Sequence, residues 1–172
     1  MQTNWPTCLK LVLLAEGGND DDPDDPGGRT SRGIEQREYD AWCELNNLPK
    51  GDVWQAPQDV IDNIYHTSYW EPWCDKLPVG VDYLFFDTGV NEGPHEATLQ
   101  LQRALGVVAD GHIGVITLAA IAKCNPAQVI NAVDTERDAF YKGLNKPKYL
   151  KGWYNRVAKV NKDALSMLTV TT

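Results

Sequence analysis

Prolines and glycines cut this chain into segments whose apolar residues recur every three or four positions, the period of an amphipathic helix. The first predicted helix covers 6–16, with Thr3 or Asn4 as its cap, Pro6 in its first turn and Gly17-Gly18 as its stop. Helices are expected next over 36–48, ended by Pro49, and over 57–70, opened by Pro57. The stretch 81–90 is apolar nearly all round and reads as a central buried helix. Further helices are expected over 94–105, 116–123, 126–144 and 153–168. Strand signals are scarce, a short extended piece over 29–34 being the exception. The fold class is therefore mainly α, with seven or eight helices in one compact body.

With 172 residues and a 42% hydrophobic share, one ordinary domain with a real core is expected. No apolar run is long enough for a membrane span. The opening residues lack a basic segment followed by an unbroken apolar run, so no signal peptide is expected. Sixteen basic against 24 acidic residues, a net charge of −8, argue against nucleic acid as a partner. The basic residues gather between Arg137 and Lys162, as a solvated helix face or a patch facing an anionic polymer. Cys8, Cys43, Cys74 and Cys124 are far apart and show no metal-ligand spacing. Free, mostly buried thiols are expected, with disulfides as the alternative outside the cytoplasm.

Chemistry concentrates at the end of the first helix. Glu16 sits at the negative end of the helix dipole, and partial burial there also favours the protonated carboxyl that a general acid needs. Gly17 and Gly18 leave room for a polymer to approach. The segment 19–28 is too rich in Asp, Pro and Gly for a helix or strand. Asp25 follows Glu16 by nine residues and Thr30 by fourteen. A reversing loop with a short extended return brings all three to one cleft. There a second carboxylate and a hydroxyl position water or stabilise an oxocarbenium-like transition state. Read as structure alone, Glu16 is a surface charge, Asp25 a turn residue and Thr30 a strand residue or helix cap. The acidic loop suggests calcium, but no frame supplies both the sixth-position Gly and twelfth-position Glu of an EF-hand. His66, His95 and His112 form no zincin or triad motif. No metal and no cofactor are expected.

The run Glu16-Gly17-Gly18-Asn19-Asp20, continued by Asp25-Pro26-Gly27-Gly28-Arg29-Thr30-Ser31-Arg32-Gly33-Ile34, resembles the opening signature of glycoside hydrolase family 108. These are N-acetylmuramidases, many of them phage endolysins or bacterial lysis and secretion factors. The likeness continues in Ile64-Tyr65, Tyr69-Trp70 and Phe86-Asp87-Thr88-Gly89-Val90-Asn91-Glu92-Gly93. The pieces Leu101-Gln102-Arg103-Ala104-Leu105-Gly106, Asp110-Gly111-His112-Ile113-Gly114 and Thr117 resemble a peptidoglycan-binding segment, and Gly152-Trp153-Tyr154-Asn155-Arg156-Val157 resembles the closing helix.

The resemblance implies a lysozyme-like α fold and hydrolysis of the β-1,4 bond from N-acetylmuramic acid to N-acetylglucosamine. Glu16 falls on the catalytic glutamate, with the acid-loop and threonine roles on Asp25 and Thr30. Ser31, two residues before Gly33-Ile34, rivals Thr30 for the hydroxyl role, and Asp20 to Asp24 rival Asp25. The chain departs from the family at Glu35, where Thr is usual, and this places a third carboxylate near the site. Substrate contacts are expected from Gly17, Gly28, Ser31 and Asn91, and by stacking from Trp70 and Tyr154. Core packing and helix capping are the alternatives for Trp70, Tyr154 and Asn91. One lysozyme-like domain is expected, with a catalytic part over 1–85 and a helical lobe over 86–165. The partner is peptidoglycan, and the protein is expected to be a monomer. It is made in the cytoplasm and acts on the wall after release, causing lysis. A non-catalytic peptidoglycan-binding or lysis-accessory protein is the alternative.

Overall fold

The computed structural model describes residues 4–20 and 29–169. The acidic segment 21–28, with Asp25 and Gly28, lies outside the described residues. Eight α-helices and one small sheet are present among the described residues, so the mainly α, lysozyme-like class holds. In chain order they are α1 (Trp5–Glu16), β1 (Asn19–Asp20), β2 (Thr30–Ser31), β3 (Ile34–Glu35), α2 (Gln36–Leu45), α3 (Gln58–Tyr65), α4 (Val81–Glu92), α5 (Pro94–Ala104), α6 (Val115–Ile121), α7 (Pro126–Gly143) and α8 (Pro147–Met167). None of these helices is long and apolar enough to cross a membrane. The chain divides into two compact units, Trp5–Ser68 and Tyr69–Thr172 together with the N-terminal residues.

In the first unit, α1 buries Cys8, Leu9 and Val12 on one face. The three strands are antiparallel in the order β1-β2-β3, with Ser31 opposite both Asn19 and Ile34. Helix α2 stops at Leu45, earlier than Pro49 suggests. Asn47 takes a left-handed conformation (φ 55°), and the Leu48 amide reaches back to the Cys43 carbonyl at 2.8 Å. That wrapped end satisfies the last carbonyls without proline. The helix expected over 57–70 is α-helical only to Tyr65, and His66–Trp70 continues as a π-helical turn.

In the second unit, α4 is buried from Val81 through Gly89 and is the central helix the apolar run implies. Helices α5, α7 and α8 pack on it. Gly80 precedes α4 with φ +82°, and a Cβ there would stand 2.6 Å from the Ala164 carbonyl of α8, so the site admits only glycine. Helix α8 starts at Pro147, six residues before the expected 153, with proline in its first turn.

Buried charge distinguishes this unit. Arg137 is fully buried and donates to Glu92 Oε1 (3.0 Å) and Asp87 Oδ2 (2.9 Å), while Arg156 donates to Asp87 Oδ1 at 2.8 Å. Gln100 donates to Glu92 Oε2. Burial pushes Asp134 up to about 6, against the lowering effects of its Asn161 hydrogen bond and Arg137. Asp82, nine-tenths or more buried and hydrogen-bonded by Asn4 (3.1 Å), is likewise pushed up to about 6 by burial. Cys8, Cys43 and Cys74 are buried thiols and Cys124 an exposed one, none of them in a disulfide among the described residues.

Candidate active site

Strands β2 and β3 are joined by two residues, Arg32 and Gly33, both with positive φ (51° and 82°). This is the turn whose twist matches a tight antiparallel hairpin. Glycine suits it, whereas arginine takes up a left-handed backbone at a cost. Four ties hold that arginine. Its amide donates to the Gly18 carbonyl at 3.0 Å, and its carbonyl accepts from the Tyr65 hydroxyl at 2.7 Å. Its guanidinium donates to Gln58 Oε1 (2.7 Å) and to the Ala56 carbonyl (2.8 Å). The other end of β2 is held as well. Trp54 Nε1 donates to the Thr30 carbonyl at 2.9 Å, and the Arg29 guanidinium lies 4.3 Å over the Trp54 ring while pairing with Asp52.

The Glu16 side chain rests on this hairpin tip. A Cβ built on Gly33 would lie 2.9 Å from both Glu16 Cγ and Oε2, and 2.5 Å from Tyr65 Oη. The carboxyl and the phenol oxygen therefore converge on one glycine, where no larger residue fits. Glu16 is half-buried at the last position of α1. Among the described residues, nothing stands within 4 Å of a Cβ built on Gly17 or Gly18.

Thr30 lies on β2 of the same hairpin, half-buried and paired in register with Asp20 and Glu35 on either side. Cross-strand partners share a face, so Asp20, Thr30 and Glu35 form a row across the sheet. Glu35 is held by Arg37 at 2.6 Å. Ser31 points to the other face and is fully buried, with its Oγ accepting from Arg32 Nε at 3.2 Å. A hydroxyl so enclosed offers no atom to a polymer, which corrects the expectation of a substrate contact at Ser31.

The remaining expected contacts lie in the second unit. Trp70 is 1% exposed, packs edge-on against Phe86 at 5.5 Å and donates its indole N–H to Asp75 at 2.8 Å. No ring face is left for a sugar, so the core reading replaces stacking there. Asn91 is exposed near the end of α4 and donates to the Asp87 carbonyl at 2.7 Å. Tyr154 is half-buried next to Trp153, whose ring stacks on Tyr141 at 4.9 Å. The residues that sequence reasoning missed as part of the site are Tyr65 and Arg32. Both stand in the motifs quoted above, but their contacts join positions 33 residues apart.

The model of the family described as Glycosyl hydrolase 108 matches residues 9–93, which include Glu16 and the whole hairpin. The family described as Predicted Peptidoglycan domain matches residues 96–158. No curated protein sequence matches the chain. Among solved structures, SagA of Brucella abortus is similar over 95% of this chain and 95% of its own, at 36% identity and a TM-score of 0.85. With both family segments in order and a relative this similar along its whole length, the chain belongs to glycoside hydrolase family 108, a peptidoglycan-related hydrolase.

Proposed function

We propose that the protein is an N-acetylmuramidase that cleaves the β-1,4 bond between N-acetylmuramic acid and N-acetylglucosamine, with Glu16 as the general acid. The observation that carries this reading is the seat of the Glu16 carboxyl. It is half-buried at the end of a helix and pressed on the Gly33 turn, and no described residue crowds the Cβ positions of Gly17 and Gly18 beside it. A carboxyl held in this way is placed to protonate the leaving glycosidic oxygen as the bond breaks and positive charge grows on the sugar ring. Thr30, on the adjacent strand, is the hydroxyl suited to orient water. Asp25 is the proposed second carboxylate, with Asp20 in the same sheet row as Thr30 as its rival. Substrate contacts are proposed at Gly17, Gly28, Asn91 and Tyr154. The protein works as one lysozyme-like domain and as a monomer. It acts on the wall after release from the cytoplasm, so that cleavage leads to lysis in the manner of an endolysin.

Purified sacculi digested by the wild type and by Glu16→Gln, with fragments identified by mass spectrometry, test the reading. Fragments ending in reducing muramic acid, lost in the variant by a factor on the order of 10²–10⁴, are expected. Release of reducing N-acetylglucosamine ends overturns the bond assignment. Turnover that survives the substitution overturns the role of Glu16. Binding to sacculi without release moves the protein to the non-catalytic class.

A further inference from the structure

We propose that Tyr65 is a positioning residue for Glu16, acting through the Arg32-Gly33 turn. The inference rests on the reading of Glu16 as the acid. Tyr65 ends α3 and is fully buried, so its ring has one orientation. Its hydroxyl donates to the Arg32 carbonyl, 2.7 Å away, in the peptide that leads into Gly33. Gly33 is the surface on which the Glu16 carboxyl rests, at 2.9 Å from the position a Cβ would take. Three elements distant in sequence thus meet at one backbone unit: the end of α1, the hairpin tip and the end of α3.

The tie matters because the turn holds itself poorly. Arg32 is a left-handed non-glycine residue, a conformation that persists only when its surroundings impose it. Removing the Tyr65 hydroxyl takes this donor from the part-buried Arg32 carbonyl and loosens the Arg32-Gly33 peptide. Rotation there moves the surface on which the Glu16 carboxyl rests and leaves Gly17 and Gly18 in place. The expected signature is therefore a loss of turnover with substrate affinity retained.

The experiment compares wild type, Tyr65→Phe and Glu16→Gln as full chains on solubilised uncrosslinked glycan strands, with thermal melts on the same preparations. A second readout is the Glu16 side-chain carboxyl resonance in carbon-13-labelled protein, assigned by its loss in Glu16→Gln. Tyr65→Phe is expected to lower kcat roughly tenfold to a hundredfold, the scale of a displacement of about 1 Å at a reacting group. KM should stay within about twofold, and the Glu16 resonance should shift or broaden. If Glu16→Gln is inactive but Tyr65→Phe turns over like the wild type with an unmoved Glu16 resonance, the positioning role is overturned and the acid assignment stands. A fall in activity that only follows a lost folded fraction, or one expressed in KM, also overturns it. Full turnover by Glu16→Gln overturns the acid assignment and the inference with it.

Discussion

The two units of this protein use different means to order their chains. In Trp5–Ser68 the strands are two residues long, and side chains clamp backbone: Trp54 on Thr30, Arg32 on Ala56 and Tyr65 on Arg32. In the second unit long helices wrap a buried one, and the polar ties run between side chains, centred on Arg137 with Asp87 and Glu92. Clamps onto backbone fix the position of a particular peptide, as the proposed role of Glu16 requires. A buried ion cluster fixes which helices pair, and its removal costs stability. Damage to the first unit should therefore appear as lost turnover, and damage to the second as lost stability.

The largest expected effect is in the second unit. Arg137→Ala takes from buried Glu92 its arginine partner and from Asp87 one of its two, and should cost about 3–5 kcal/mol, read by denaturant melts. A loss under about 1 kcal/mol would show that the cluster is solvated and would break the contrast.

Gly33→Ala is the corresponding change in the first unit. It puts a methyl group 2.5 Å from Tyr65 Oη and 2.9 Å from Glu16 Oε2 at a positive φ. The expected cost is about 1–3 kcal/mol from backbone strain, with activity reduced more than stability. Melts and sacculus digestion on the same sample measure the two. Normal turnover in a destabilised variant would mean that the turn supports the fold but not the acid.

The smallest effect concerns pH. Asp134 ionises near 6 in the folded chain but at its ordinary 3.8 when unfolded, because burial disfavours its charge. Between these values the folded state holds a proton that the unfolded state has released. Stability from this group is therefore present below about 4 and falls as pH rises through 6. Asp134→Asn should match the wild type near pH 4 and exceed it at pH 7 by about 1 kcal/mol, or ~2–4 °C in Tm at this chain length. An equal offset at both pH values would show that ionisation is not the cause.

Much of the helical framework was legible because prolines mark first turns and apolar periods mark buried faces, as at Pro94 and Pro126. The start of α8 was not, since residues 147–152 are mostly polar or small and hide a helix whose first turn is set by Pro147. The end of α2 was misread because a left-handed Asn47 leaves little trace in sequence. At the proposed site, Glu16 before two glycines is a local pattern, which is why the sequence could nominate it. The Tyr65 tie to Arg32 could not, because it is a tertiary contact between residues that share no periodicity. Trp70 illustrates the opposite failure: an aromatic near a motif looked like a platform, whereas its full burial follows from the packing of Phe86 and the Asp75 hydrogen bond.

The backbone of Arg32 bears on how this enzyme can evolve. Asparagine or glycine would relieve its left-handed strain, so selection for heat resistance has a ready single-step gain at position 32. That same step discards the guanidinium anchors to Gln58 and Ala56 and leaves the turn on its backbone bonds to Gly18 and Tyr65. Thermostable descendants should therefore retain Arg32 and improve elsewhere, or accept a faster-wandering acid and compensate with a stiffer hairpin.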